Sequence, residues 1–353
     1  MTESDREVDQ GRRRLVGLLA GAGAGAAVFG RALSALAAGE AKVTAGMVKQ
    51  AEWMTGVAFT DEERALMLAD LNESAEGIDV LRGLALDNAV PPAFTFAPSP
   101  GVPKPVPETA APAPRRERPA ARPSSDEELA FATVRELGRL LRAKKVSSLE
   151  LTKLSLSRLA RYDPVLSCAV TVTSELALSQ AKRADEELAA GRDRGPLHGI
   201  PWGAKDLIAV PGYRTTWGSV PFRDQTRPET SAVYRRLEEA GAVLVVKTTV
   251  GELAWGDVWF GGTTKNPWKP DQGSSGSSAG SASATAAGLV AFALGTETLG
   301  SIVSPCTRCG VTGLRPTFGR VSRHGVMALA WTMDNVGPIA RSAEDCAIVF
   351  SSI

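Results

Sequence analysis

Twice in this chain a segment with helical spacing stops at a glycine and runs straight into consecutive apolar residues. Residues 231–241 end in Gly241 and are followed by Ala242-Val243-Leu244-Val245-Val246; residues 277–288 end in Gly288 and are followed by the apolar run 289–294. A strand that is apolar at every position has both faces buried, as in parallel sheets covered by helices on two sides. Helix and buried strand in alternation therefore predict an α/β layered sheet with helices on its faces. The segments upstream fit that reading. Residues 129–141 and 149–159 carry apolar side chains three and four apart, which predicts two amphipathic helices, and the serines of Val146-Ser147-Ser148 are placed to cap the second. A third helix is expected over 175–188.

The layered region does not begin at the first residue. Gly11-Arg12-Arg13-Arg14-Leu15 precedes an apolar, small-residue run over 15–30, and Ala35, Ala37 and Ala38 offer a small-residue cleavage site. Basic cluster, apolar run and small residues in that order resemble a twin-arginine export signal over 1–38, which places the protein in the cell envelope, periplasm or medium, with the cytoplasm as the alternative. Arg31 interrupts the run short of the roughly 20 residues a bilayer span needs, so no stable membrane span is expected. A small helical region follows over 40–90, with Thr60-Asp61-Glu62-Glu63 as a helix start ahead of Ala65, Leu66, Leu68 and Leu71. From 91 to 125 prolines crowd in beside Ala and Arg (Pro98, Pro100, Pro103, Pro105, Pro107), a composition that favours extended, solvated backbone and reads as a linker.

Composition narrows the function classes. Forty basic residues stand against thirty-nine acidic, so the sequence has no broad electrostatic footprint for nucleic acid or acidic lipid. The four cysteines, Cys168, Cys306, Cys309 and Cys346, do not form the framework of a small disulfide-stapled scaffold, and the core must hold itself by packing. With only His198 and His324, a mechanism needing several imidazoles as bases or metal ligands has few candidates. No metal site and no cofactor are expected.

Two features carry chemistry. Gly195-Pro196-Leu197-His198-Gly199-Ile200-Pro201-Trp202-Gly203-Ala204-Lys205-Asp206 delivers a lysine into apolar surroundings. Gly273-Ser274-Ser275-Gly276-Ser277-Ser278-Ala279-Gly280-Ser281 could be a flexible linker by composition. Yet a buried-strand pattern and a second glycine-serine turn, Gly295-Thr296-Glu297-Thr298-Leu299-Gly300-Ser301-Ile302-Val303-Ser304-Pro305, follow at once, which a linker does not require. Small residues from Ser277 onward let a helix pack closely, and its N-terminus presents unpaired N–H groups where negative charge can develop.

These blocks, with Cys309-Gly310-Val311-Thr312-Gly313-Leu314-Arg315-Pro316-Thr317-Phe318-Gly319-Arg320-Val321-Ser322 and Asp334-Asn335-Val336-Gly337-Pro338, resemble the amidase signature family over about 127–353. Leu149-Glu150-Leu151 and Asn266-Pro267-Trp268 fall in the order the family has them. The family includes bacterial amidases, fatty acid amide hydrolase and the A-type component of aminoacyl-tRNA amidotransferase. The resemblance implies a layered mixed sheet with helices on both faces, and a serine acyl-enzyme with Ser301 as nucleophile, Ser277 as the cis-peptide serine and Lys205 as the base acting through it. It also implies an oxyanion hole from the backbone N–H groups of Thr298, Leu299, Gly300 and Ser301. Physical chemistry accepts these roles: an amide carbonyl is a poor electrophile, and a lysine serves as base only when neutral, which burial promotes. Two positions depart from the family pattern. Leu299 stands where many relatives have glycine, and Val303 where an arginine is common, which puts carboxylate recognition in doubt.

Other patterns are weaker. Gly276-Ser277-Ser278-Ala279-Gly280 fits a nucleophile elbow centred on Ser278, but a loop precedes it and the only later histidine is His324. No Lys-Ser or Lys-Thr pair closes the glycine-rich run as a phosphate-binding loop requires. Cys306 and Cys309 lack the second ligand pair of a zinc site and read as buried structural cysteines. The expected partner is a small-molecule amide, not nucleic acid, and a homodimer is compatible with the sequence. The alternatives are an A-like component of an aminoacyl-tRNA amidotransferase and a non-catalytic binding or scaffold protein, because family domains continue beyond the segment at which this chain ends. Incompleteness of the domain at its C-terminal end is the corresponding expectation.

Overall fold

The structure is a computed structural model that describes residues 43–84, 121–330 and 332–353. The described residues fall into two compact units. The expected export signal over 1–38 and all but the last residues of the expected linker lie outside them.

The first unit is a helical hairpin of α1 (Ala45–Thr55) and α2 (Asp61–Gly83). The expected helix start is realised as a reciprocal cap: Glu63 N donates to Thr60 Oγ1 and Thr60 N to Glu63 Oε2. Polar ties join the helices. The buried Arg64 Nε donates to Glu52 Oε1 at 2.6 Å, and Asn72 both accepts from Val43 N and donates to Val43 O. Leu66, Ile78 and Val80 are exposed.

The second unit opens with α3 (Asp126–Ala130), α4 (Val134–Arg142) and α5 (Ser148–Leu166). The single helix expected over 129–141 is therefore two. Thr133 and Glu136 form a capping box that starts a new helix, and apolar spacing alone does not register such a break. Ser147 caps α5 as expected, accepting from Glu150 N. Then follow β1 (Ala169–Val172), α6 (Ser174–Ala189), β2 (Pro201–Lys205), α7 (Ala232–Glu239) and β3 (Val243–Thr248). The chain continues through α8 (Ala279–Ala286), β4 (Phe292–Glu297), α9 (Val303–Cys309), β5 (Thr312–Gly313), β6 (Asn335–Ala340) and α10 (Ala343–Phe350). Two short ribbons lie between β3 and α8.

The strands form one mixed sheet in the order β1-β3-β2-β4-β6-β5. β2 runs parallel to both β3 and β4, while β1 pairs with β3, and β6 with β4 and β5, in antiparallel fashion. Its two faces bury separate cores. Trp202, Leu244 and Phe292 face α4, α7 and α10, while Val243, Val245 and Ala293 face α5, α6 and α8. Trp202 and Phe292 stack at 6.0 Å between centroids.

α8 is wholly buried although a serine or threonine stands at several of its positions. Each hydroxyl has an acceptor or donor: Ser281 Oγ donates to Leu294 O, Ser283 Oγ to Lys265 O and Thr285 Oγ1 to Ser281 O. Burial of these groups is tolerated because none is left unpaired. The strand expected over 289–294 begins three residues later, at Phe292. Leu289 and Val290 pack in the core as a connection, and the polar Thr296 and Glu297 extend the strand because they pair with Val336 and Asn335. No helix among the described residues is long and apolar enough to cross a membrane.

Candidate active site

Lys205 is the last residue of β2, in the middle of the sheet, and is fully buried. Its sequence neighbours Trp202 and Ala204 are equally inaccessible, so the ammonium form would have little water to solvate it. Burial pushes the Lys205 pKa well below the ordinary 10.5, and the nearby carboxylates of Asp334 and Glu297 only partly oppose that shift. Nζ lies 2.8 Å from Ser277 Oγ, 3.0 Å from Ser278 Oγ, 2.8 Å from Thr296 Oγ1 and 3.2 Å from Thr296 O.

The serine block reaches this amine through a sharp path. The Gly276-Ser277 peptide is cis, and a Cβ on Gly276 would come within 1.8 Å of Gly256 O, so only glycine fits. Ser278 sits at the N-cap of α8, donating from Oγ to Thr296 O and accepting from Thr296 N. A serine so buried and so committed is not the exposed nucleophile of an elbow, and the strand before it, Lys269–Gly273, is an arm of a short two-stranded ribbon and not a strand of the main sheet; that rival reading is corrected. His324 is exposed, with its backbone bonded to Ser322 and Ala232. Cys306 and Cys309 are buried free thiols, and burial pushes Cys309 up to about 12.

Ser301 lies in the turn between β4 and α9, half-buried. Ser278 N donates to Ser301 O at 3.0 Å, which fixes this turn beside the Ser277-Ser278 pair. Gly300 adopts φ +90°, a conformation open to glycine. The structure thus brings Lys205 and Ser277 into contact and sets the Ser301 backbone against Ser278. Among the described residues the Ser301 hydroxyl makes no hydrogen bond, and the tie between the Ser277-Ser278 pair and Ser301 is the backbone bond from Ser278 N to Ser301 O. The backbone N–H groups from Thr298 to Ser301 likewise have no hydrogen-bond partner among the described residues.

Two carboxylates hold the turn. Glu297 Oε2 accepts from Ile302 N at 2.7 Å and Val303 N at 2.9 Å, while Oε1 pairs with Arg315 Nε at 3.2 Å. Asp334 accepts from Thr298 Oγ1 and from the amides of Leu329 and Ala330, tying the following loop to the turn. Ser275 and Ser304 join their hydroxyls at 2.8 Å across its outer side. Next to the base, Asp206 and Lys247 form a fully buried ion pair at 2.6 Å. Asp206 also accepts from Thr216 N, and Lys247 donates to Thr215 Oγ1 and Arg214 O.

Sequence reasoning singled out none of Thr296, Glu297, Asp334 or Lys247 as a site residue. Glu297 had a visible signal, as the sole acid within the glycine-serine turn. Lys247 had one too, as a charge closing an otherwise apolar strand. Thr296 and Asp334 act through the antiparallel pairing of β4 with β6, a register that sequence spacing does not display.

The amidase family profile matches residues 150–353. Among curated proteins, the chain is 46% identical over 220 residues to the A-type component of the glutamyl-tRNA(Gln) amidotransferase of Methylococcus capsulatus, covering 62% of this chain and 45% of that protein. Among solved structures, it is similar to the native peptide amidase from Stenotrophomonas maltophilia, with TM-score 0.60 and 40% identity over 63% of this chain and 47% of the other. It is also similar to a fatty acid amide hydrolase, with TM-score 0.61 and 28% identity over 65% and 42%. The chain spans about half the length of the relatives it matches. With the mixed sheet and the profile match over more than half of its residues, the chain belongs to the amidase signature family.

Proposed function

We propose that this protein hydrolyses carboxylic amides through a serine acyl-enzyme. Neutral Lys205 accepts the Ser277 proton as Ser277 accepts that of Ser301, and Ser301 Oγ attacks the amide carbon. The oxyanion is received by the N–H groups from Thr298 to Ser301, each such donor contributing about 3 kcal/mol to the transition state. The proton returns along the same path to the departing nitrogen, and water then cleaves the ester to free the acid and Ser301. The observation that carries the reading is the 2.8 Å contact of a wholly buried lysine with Ser277, since such an amine is held neutral and has a hydroxyl to deprotonate.

Aryl-amide hydrolysis and fluorophosphonate labelling of the full chain test it. Labelling confined to Ser301, lost together with hydrolysis in Ser301→Ala, supports the enzyme; a folded protein that is neither labelled nor active excludes it.

A second reading is favoured by the 46% identity to a component of an amidotransferase. On it the same serine releases ammonia from an amide donor for a partner protein. Stable co-purification with such a partner would favour it. The export reading of residues 1–38 argues for the free-standing hydrolase, and fractionation of cells expressing the full chain decides the compartment.

A further inference from the structure

We infer that the buried Asp206–Lys247 pair positions Ser277: through two loops that it ties together, it holds the Ser277 main chain where the hydroxyl meets Lys205. This rests on Ser277 carrying the proton between Lys205 and Ser301. Asp206 and Lys247 are positioning residues, since both act through other groups.

The path begins beside Lys205. Asp206 N donates to Thr248 O, which keeps the end of β2 on β3. The Asp206 carboxylate faces Lys247 at 2.6 Å and accepts from Thr216 N at 2.8 Å and from the Thr216 hydroxyl, while its carbonyl accepts from Trp217 N at 3.3 Å. Lys247 Nζ donates to Arg214 O at 2.6 Å and to Thr215 Oγ1 at 2.7 Å. Four successive residues, 214–217, are thus held by one ion pair.

This loop carries a second one. Trp217 O accepts from Leu253 N at 2.9 Å, the Ser219 hydroxyl donates to Glu252 at 2.7 Å, and Trp217 packs with Leu207, Val250 and Ala254. Gly218, at φ +71°, lies so close to Val250 that a Cβ would come within 2.3 Å of its carbonyl oxygen. From the second loop Gly251 N donates to Ser277 O at 3.3 Å. β3 adds a support of its own: Thr249 O, two residues past Lys247, accepts from Gly280 N at 3.1 Å in the first turn of α8.

The chemistry of the pair fits this task better than stabilisation. Two charges taken out of water lose hydration that their attraction only offsets, so apolar replacements can pack as well. They cannot supply the acceptor for Thr216 or the donors for Arg214 O and the Thr215 hydroxyl, which fix the loop in one geometry. Ser277 Oγ and Lys205 Nζ now stand 2.8 Å apart, and a shift of about 1 Å would break the bond along which the proton moves.

The double variant Asp206→Asn/Lys247→Met of the full chain, which leaves neither charge buried alone, tests this beside Thr216→Val, which keeps the ion pair and removes only a hydroxyl. A fluorophosphonate counts competent Ser301, and kcat and KM for an aryl amide are expressed per competent site. In the double variant kcat per site should fall about 100-fold with KM unchanged, and labelling should slow in parallel. Thr216→Val should fold and lose about 10-fold in the same way. A pair that only stabilises the fold would lower the number of competent sites and leave the rate at each unchanged. Unchanged kcat per site in either variant therefore overturns the inference alone. Absence of labelling at Ser301 in the folded, unsubstituted protein overturns the proton path and this inference with it.

Discussion

Lys205, Ser277 and Ser278 lie almost entirely out of water between β2, β4 and the start of α8, and the polar atoms of their side chains are partnered to one another or to Thr296. The turn from Thr298 to Ser304 is the opposite: it carries an almost fully exposed leucine, leaves successive amides unpaired and is anchored from beneath by Glu297 and Asp334. On the proposed mechanism the difference separates two tasks. Making a lysine neutral requires removing water, which a sheet interior does well. Receiving a substrate requires free donors at a surface, held still by groups that do not themselves react. Substitutions should accordingly act by different routes on the two sides.

The largest effect is expected at Lys205, the proposed base. Lys205→Met should lower kcat/KM for an aryl amide by about 10⁴-fold or more, as loss of a member of a concerted relay does. It should do so without unfolding the protein. Because the folded-state pKa of Lys205 is depressed, the unfolded chain binds more protons between that value and 10.5, so stability rises with pH across this window. Replacing the amine with an apolar side chain should flatten that rise in urea titrations at pH 7 and pH 10. An undiminished rise in the variant would show that Lys205 is not held neutral.

Asp206→Asn comes next. Removing one member of a buried pair leaves Lys247 uncompensated, at a cost of about 3–5 kcal/mol in chemical denaturation. The double variant with Lys247→Met should recover part of the loss, and a double variant as unstable as the sum of the singles would contradict the pairing. Glu297→Gln tests the other side. It keeps the shape but weakens acceptance from the Ile302 and Val303 amides and removes the charge facing Arg315. The expected loss in kcat is about 100-fold, comparable with misplacing one oxyanion donor. Thr133→Ala should cost about 1 kcal/mol of stability as a lost N-cap, with kcat/KM unchanged because α4 touches neither side of the site.

How much of this was legible in the sequence differs between the same two regions. The buried strand over 242–246, the glycine stop at Gly241 and the cap at Ser147 are written in residue types with local consequences, and they reappear in the structure. Lys205 and Ser277 were legible through the resemblance of their motifs; by composition alone Lys205 would have passed for a surface lysine. The break at Thr133 and the three-residue delay of β4 were missed because a continuous apolar run does not mark where hydrogen bonding begins. Thr296 and Asp334 were missed for a further reason. Their roles depend on β6 folding back along β4, a long-range pairing between segments some forty residues apart.

The claim most exposed to refutation is that an amine without its proton activates Ser301. The rate of fluorophosphonate labelling at Ser301, followed by mass spectrometry from pH 5 to pH 10, measures it directly. In the unsubstituted protein the rate should rise with pH to a plateau whose midpoint lies well below 10.5, and Lys205→Met should label far more slowly and lose that rise. Folded Lys205→Met labelling Ser301 at the unsubstituted rate, with the same pH dependence, would contradict it.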